Sequence, residues 1–555
     1  MCAKPRVLLC SVFGPYCQDD KFGSRELNPM ELYHNQVTRV QGAFSLRMFH
    51  RSWGLMMIQA NIQAPCVVLD FPTLDRFMDE IESNEYDIIG ISSIIPNIGK
   101  VKEMCRLIRI YCPDAKIVVG GHITNLPNLN QKIDVDYIVK GEGIRWFREY
   151  LREDKNQPIR HPLITSGFGI RNCGIALKDS TQDIAATVIP SVGCPLGCNF
   201  CSTSAMFGGK GCSIDFYKTG KDLFSIMSQI EQKMGVRSFF VMDENFLLNQ
   251  KRALELLGLM EKNNKAWSFY VFTSANALKK YSIEQLVSLG ISWVWMGLEG
   301  ENSQYGKLSG IDTFAMVKEF QANGIHVLGS TIIGLETHTP ENIGQVIEYA
   351  VHHNSDFHQF MLYTPISGTP LFAELTEKGS MKGDDEYNLA DIHGQSILNY
   401  RHPCINDQQA SQFLLDAFER DLQRNGPSVV RVVQTALNGW LRYKNHPDLR
   451  VRSRVAWESR NLAVRFSSLI GATYLYCKNQ PEIRAKMSAM LKDLRKEFGW
   501  KSRISSFFGG RWLFKKIRQE QDCLALGQTY EPQTFYERNE FVNNPGIPLC
   551  QSVSI

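Results

Sequence analysis

Three cysteines fall within eight positions, Cys194, Cys198 and Cys201, in the stretch "GCPLGCNFC". Tetrahedral zinc and ordinary iron–sulfur clusters take four protein ligands, and this group supplies three. Three thiolates can hold three irons of a cubane and leave the fourth iron open to an outside ligand. A zinc ion on the same three thiolates, completed by a distant histidine, is the other arrangement the spacing allows. The chain has 15 cysteines in all, an odd number, most of them scattered in apolar or helical contexts such as Cys10, Cys66, Cys105 and Cys477. With no export signal in "MCAKPRVLLCSVFGPY", that distribution argues for a reducing, cytoplasmic setting rather than a disulfide framework.

Further polar residues recur where apolar runs end. Met242-Asp243-Glu244-Asn245-Phe246 closes one run, Ser274 the next, and Gly297-Leu298-Glu299 the one after; Gly334-Leu335-Glu336 and "PISGTP" (365–370) follow later runs. In the first third, Ser92-Ser93, Gly120-Gly121 with Thr124, and Gly141-Glu142-Gly143 occupy equivalent positions.

The elements behind these residues are α/β units. In 1–151 the runs "RVLLCSVF", "CVVLDF", "DIIGISSII", "KIVVGG" and "VDYIVKGEG" alternate with helical patterns such as "LDRFMDEIESN" and "VKEMCRLIRIYC". Strands that are apolar throughout and separated by helices predict a doubly wound parallel sheet, whose ligands sit at the strands' carboxyl ends. Residues 152–185 are polar and mixed and read as a linker. From 186 to 400, six strands alternate with helices: "IAATVIPSV", "SFFVMDENF", "WSFYVFTSA", "SWVWMGLEG", "IHVLGSTIIGLE" and "FHQFMLYTPISGTPL". This predicts a partial (β/α)6 barrel working at its C-terminal rim. Beyond about 400 the strands stop. Residues 401–555 read as a helical C-terminal domain, with a helix start at Asn425-Gly426-Pro427 and four-residue apolar spacing in "VVRVVQTALNGWL" and "PEIRAKMSAMLKDLRKEFGW".

C-x3-C-x2-C directly after a barrel-opening strand resembles the radical SAM superfamily, and a doubly wound domain ahead of it resembles the cobalamin-dependent members of that class. The resemblance covers residues 1 to about 400. It implies a [4Fe–4S] cluster on Cys194, Cys198 and Cys201 whose open iron chelates S-adenosylmethionine, with Phe200 in the position of the family's usual aromatic. Asp243, Glu244 and Asn245 match its second-strand acidic motif, which hydrogen-bonds the methionyl amine. Ser274 and Glu299 fall where the methionine carboxylate and ribose are bound. In the front domain, Ser92-x-Ile94 with Gly120-Gly121 approximates the S-x-L…GG pair of cobalamin folds, which assigns Ser92, Ser93, Gly120, Gly121, Thr124, Gly141 and Glu142 to cobalamin. The D-x-H-x-x-G motif that supplies a cobalt ligand elsewhere is absent from "SLRMFHRSWGLMM": His50 and Gly54 have the wrong spacing, and Met48 cannot orient a ligating histidine. The expectation is cobalamin without a histidine lower ligand.

The implied reaction is cleavage of S-adenosylmethionine to a 5′-deoxyadenosyl radical, hydrogen abstraction from an unactivated carbon, and methyl transfer from methylcobalamin, with flavodoxin or ferredoxin as electron donor. Cyclisation or rearrangement without methyl transfer is the alternative within the class, and a cofactor-binding redox or cobalamin sensor the alternative outside it. The net charge of +4 is uneven: 401–555 holds 24 Lys+Arg against 14 Asp+Glu. There "GWKSRISSFFGGRWLFKKIRQ" (499–519) interleaves aromatic and basic residues, a pattern that suits peripheral membrane contact and a lipid-like or polycyclic small-molecule substrate. Core aromatics beside a solvated face is the plainer reading, and nucleic acid the weaker one.

Overall fold

A computed structural model of the chain describes residues 4–14, 22, 37–46, 51–166, 171–176, 184–299, 310–383, 385–526 and 537–541. Met48, His50 and Gly300 lie outside them. Five parallel strands of the front sheet lie side by side in the order Cys66–Asp70, Val7–Ser11, Ile88–Ser92, Lys116–Gly120 and Tyr137–Val139. The first two strands are buried along their whole length, because helices cover both faces. Helix Leu74–Ser83 begins where Thr73 accepts the Arg76 N–H, and Ile98–Tyr111 turns Met104, Cys105 and Ile108 into the core.

The second sheet carries six parallel strands in sequence order: Ala185–Val188, Ser238–Val241, Ser268–Phe272, Ile291–Gly297, His326–Ile333 and Phe357–Leu362. Alternation sorts their side chains. Phe239, Val241, Phe269, Val271, Val294 and Met296 pack outward in the main core, while Phe240, Tyr270, Phe272, Trp293 and Trp295 stack on one another across neighbouring strands, with ring centroids 4.8 Å apart for Phe240–Tyr270 and 4.9 Å for Phe272–Trp295. A cavity of about 230 Å³ lies beneath them, at the strands' amino ends, closed by Gly439, Val455 and Trp457 of the C-terminal helices. It is opposite the rim where the chemistry is expected.

Two expectations need correction. The stretch 152–185 is not only a linker: Thr165–Ser166 pairs antiparallel with Ala185–Ala186 and extends the barrel sheet. Strands also do not stop at 400. Glu537–Phe541 returns to the front sheet and pairs antiparallel with Cys66–Asp70. There Arg538 Nε donates to Glu80 Oε2 at 2.8 Å, and Tyr86 OH donates to the other oxygen at 2.6 Å, so the buried Glu80 carboxylate is held from both sides. Such a short, charged edge strand has too little apolar alternation to stand out in the sequence.

The C-terminal helices include Asp407–Asn425, Ser428–Tyr443, Leu449–Glu458, Ser467–Tyr476, Pro481–Ile504 and Gly510–Ala525. Part of their basic excess is internal. Arg431 pairs with Asp421 at 2.6 Å, Arg450 donates to Ser288 O at 2.6 Å and Arg454 to Val287 O at 2.9 Å, the last two satisfying carbonyls at the end of helix Ile283–Leu289.

Buried neutral histidines hold several of the joints. His161 Nε2 accepts from Ile189 N at 3.0 Å, His338 Nδ1 accepts from Gly334 N and Leu335 N, and His353 bonds Thr313 and the Tyr349 carbonyl. Burial holds all three near a pKa of about 4, below the ordinary value of 6.5. The unfolded chain therefore binds more protons between pH 6.5 and 4. Stability should be intact above pH 6.5 and fall with acid through that window, by at most about 1.4 kcal/mol per pH unit per histidine. Urea unfolding across pH checks this, and His161→Ala should flatten the slope.

Candidate active site

The cysteine loop hangs from a short antiparallel ribbon, Ser191–Val192 paired with Ile214–Asp215. Between its legs the chain turns tightly. Gly197 has φ +61°, and a Cβ there would lie 2.5 Å from Lys210 Cα. Cys201 N donates to Cys198 O at 3.0 Å, Ser204 Oγ to Cys194 O at 2.9 Å, and Ser204 N to Cys201 Sγ at 3.4 Å, where helix Ser202–Met206 begins. Leu371 N donates to Asn199 O at 3.0 Å, which ties the loop to the segment after the sixth strand. Phe200 packs edge-on to Tyr363.

Cys194, Cys198 and Cys201 are half-buried free thiols. Burial, then the neighbouring Cys201, Cys198 and Glu244, pushes the Cys194 thiol up to about 11, and burial also raises Cys201. A bound metal reverses that preference, because its positive charge favours thiolate. Among the described residues no three His, Cys, Asp or Glu side chains close on a single metal-ion position. A cubane asks for less, since each thiolate takes its own iron. Three thiols within one another's field on a single loop fit such a cluster.

The acidic motif divides. Asp243 is buried with both oxygens engaged: Oδ2 accepts from Ser191 Oγ at 2.7 Å and from Arg252 Nη2, and Oδ1 from Asn245 N at 3.0 Å. Arg252 also lies 3.7 Å from Asp215, on the other leg of the ribbon. Asp243 is therefore a clamp on the base of the cysteine loop rather than a free acceptor. Glu244, the next residue, lies near enough to the loop for its charge to act on Cys194 and Cys201. Burial raises its carboxyl to about 7, and its Oε2 is buried with no hydrogen-bond partner in the protein. It is the carboxylate that faces the cysteine loop. Asn245 accepts from Ser274 N at 3.1 Å and donates to Ser274 Oγ at 3.2 Å, so these two join the ends of the second and third strands. Glu299 is buried, and its carboxylate folds back over Gly297, where any Cβ would collide with it. Glu336, by contrast, is at the surface 3.8 Å from Lys378.

In the front domain, Ser92, Ser93, Gly120, Gly121 and Thr124 come together. Gly121 has φ +82°, and a Cβ there would lie 2.5 Å from Ser93 O; Ile123 N donates to Ser93 O at 3.1 Å and Thr124 Oγ1 to Gly121 O at 2.8 Å. Gly141 abuts the Met206 carbonyl of the helix that follows the cysteines. Glu142 does not join this group. It caps helix Gly143–Tyr150 by accepting from Ile144 N and Arg145 N.

Sequence reasoning missed three residues here. Asn97 Nδ2, His122 Nδ1 and both polar atoms of Asn125 are buried without a hydrogen-bond partner in the protein. They lie on the turns Ile95–Asn97 and His122–Asn125, which pack together, and the second turn also packs on helix Ser202–Met206. Native proteins rarely leave such groups unmatched, so a polar ligand between the glycine cradle and the cysteine loop fits the site. Nothing about Asn, His and Asn as residue types announces this; their position just past strand ends was the only available signal.

Comparison with known proteins agrees with this geometry. Residues 44–151 match the B12 binding domain and 188–350 the radical SAM superfamily. The chain thus carries a B12 binding domain ahead of a radical SAM domain. It is 26% identical over 330 residues to an uncharacterized methyltransferase of Pyrococcus horikoshii, spanning 53% of this chain and 70% of the relative. It is 23% identical over 368 residues to the bacteriochlorophyllide d C-8(2)-methyltransferase of Chlorobaculum tepidum (61% and 79%), and 23% identical to an anaerobic magnesium-protoporphyrin IX monomethyl ester cyclase of Rubrivivax gelatinosus (63% and 71%). Its fold is similar to that of the radical S-adenosylmethionine methyltransferase TsrM of Kitasatospora setae, with TM-score 0.50 and 14% identity over 83% of this chain and all of that one.

Clamp and acceptor should separate experimentally. Arg252→Met strands the buried Asp243 carboxylate and should cost about 3–5 kcal/mol in urea unfolding, with less iron retained after anaerobic reconstitution. Glu299→Ala should keep full iron yet weaken S-adenosylmethionine binding by roughly 1.5–3 kcal/mol, read by calorimetry. Gly297→Ala, which displaces the carboxylate without removing it, should fall between.

Proposed function

We propose that this chain is a cobalamin-dependent radical SAM C-methyltransferase acting on a lipid-like or polycyclic small molecule, in peripheral contact with a membrane. The observation that carries the reading is the apposition of the two strand-end faces: the turn His122–Asn125 and the loop at Gly141 both meet the helix that leaves Cys201. Bound there, the [4Fe–4S] cluster and S-adenosylmethionine supply a 5′-deoxyadenosyl radical, and cobalamin carries the methyl group.

The residues divide that work. Cys194, Cys198 and Cys201 hold the cluster and leave one iron for S-adenosylmethionine. Glu244 takes the methionyl amine and Glu299 the ribose side, while Asp243, Asn245 and Ser274 position them. Gly121 lets cobalamin approach the backbone beside Ser92 and Ser93, with Asn97 and Asn125 as amide partners and no protein histidine on cobalt. A flavodoxin or ferredoxin donates the electron. A lipid-like or polycyclic substrate is supported by relatives named for bacteriochlorophyllide methylation, and by a hopanoid C-2 methylase of Rhodopseudomonas palustris that is 22% identical over 352 residues.

Anaerobically reconstituted enzyme, given S-adenosylmethionine with a deuterated methyl group and lipid extract, should pass the label to product and form 5′-deoxyadenosine and S-adenosylhomocysteine in equal amounts. Product with 5′-deoxyadenosine alone would place the enzyme with the cyclase-type relatives. Changing all three cysteines to Ala should abolish the cluster and both products. The cob(II)alamin EPR spectrum should lack nitrogen superhyperfine splitting, and be unchanged in His50→Ala.

A further inference from the structure

Helix Pro481–Ile504 bends at Gly499 (φ +59°) and continues through a π-helical turn, Ser505–Gly509, into helix Gly510–Ala525. Ser502, Ser506, Gly510, Leu513 and Ile517 are buried on one side of this stretch. On the other side Trp500 is 67% exposed, Ile504 50%, Phe507 49%, Phe508 66% and Trp512 55%. Every exposed tryptophan and phenylalanine among the described residues lies in these thirteen positions.

The charge is as uneven as the hydrophobicity. No acidic residue occurs from 498 to 519, whereas six basic residues do. Arg511 lies over the Phe507 ring, 3.5 Å from its centroid. A shallow depression bordered by Arg495, Arg503, Ile504, Phe507 and Phe508 opens beside it, with Arg495 held in place by Ser506 Oγ at 3.1 Å. Trp500, Phe507, Phe508 and Trp512 are therefore outside the core, whereas Phe514 packs against it.

We propose that this outward face docks on an anionic bilayer surface, the aromatic rings entering the headgroup boundary and the basic side chains meeting lipid phosphates. The inference deepens the proposed membrane contact by naming its surface. Two physical terms converge on one occupant. Tryptophan seats well at the level of lipid headgroups, and lysine and arginine beside it are attracted by the negative surface potential. A single-stranded nucleic acid would ask instead for a basic groove tracking its backbone, and here the depression is short and bordered by two arginines and three apolar side chains. No helix among the described residues is long and apolar enough to cross a membrane, so the contact would be peripheral.

The test uses the full chain with vesicles of phosphatidylcholine alone, or of phosphatidylcholine and phosphatidylglycerol in equal parts, read by co-sedimentation. Binding should require the anionic lipid and weaken as salt shortens the screening length below ~10 Å. Phe508→Ser with Trp512→Ser, and separately Lys515→Gln with Arg518→Gln, should each lower binding by about tenfold or more, leaving the unfolding midpoint and basal S-adenosylmethionine cleavage unchanged. The variant lacking all three loop cysteines should still bind vesicles, so failure of the radical chemistry and failure of this surface are distinguishable. Indifference to every vesicle, or binding that both variants leave unchanged, would overturn the proposal. Retardation of single-stranded RNA lost in these variants, without vesicle binding, would reassign the surface to nucleic acid; a dimer dissociated by Phe508→Ser would reassign it to a second copy of the chain.

Discussion

The buried pair of Asp243 and Arg252 is the interaction on which the site's geometry rests. Asp243 lies just past the end of the second barrel strand, Arg252 comes from the helix that follows it, and Ser191 and Asp215 belong to the two legs of the ribbon carrying the cysteine loop. One guanidinium thus fixes a loop of more than twenty residues to the strand end that supplies Glu244. Two charges this deep are not retained for net stability, which hydrophobic replacements often match. Their directional bonds define where the thiols stand relative to the rest of the rim, and apolar contacts cannot do that.

That clamp also shows where the sequence was legible and where it was not. The strands could be read because burial on both faces demands continuous apolar runs, and both sheets appear with the expected strands. The three cysteines could be read because their spacing is unusual. The division between Asp243 and Glu244 could not, because both lie beyond the strand's last residue, Val241, where alternation no longer fixes which way a side chain points. Deciding which required Arg252, whose arginine nine residues on looks like any other on a helix. The capping role of Glu142 was hidden for a related reason. A carboxylate at a strand end and a carboxylate at a helix start occupy the same position in a β-turn-α unit, and here the helix takes it.

Some features lay beyond sequence reading because they depend on distant pairing. The strand Glu537–Phe541 completes the front sheet across more than four hundred residues, and its Arg538 meets Glu80 only in the folded chain. Asn97, His122 and Asn125 acquire meaning from being buried and unmatched, a property of the packing rather than of residue type. The basic C-terminal excess likewise had two causes that composition merged: Arg431, Arg450 and Arg454 serve internal carbonyls and an ion pair, while 501–518 presents its charge outward.

A parallel sheet aims all of its carboxyl ends to one side, so an enzyme that needs two cofactors from two sheets has one economical arrangement, with the ends opposed. Here the short helix after Cys201 is the shared wall: one end is fixed by the cysteine loop, and its flank meets the turn His122–Asn125 and the loop at Gly141. The unmatched amides lie against this wall, and the glycine cradle opens beside it. The aromatic-filled barrel interior and the cavity at the strands' amino ends lie away from it, closed by the C-terminal helices. The two strand-end faces therefore meet on the side away from the filled barrel interior. The glycine cradle of the front sheet and the cysteine loop of the second sheet thus face a common wall, an arrangement that a parallel sheet can offer only from its carboxyl ends.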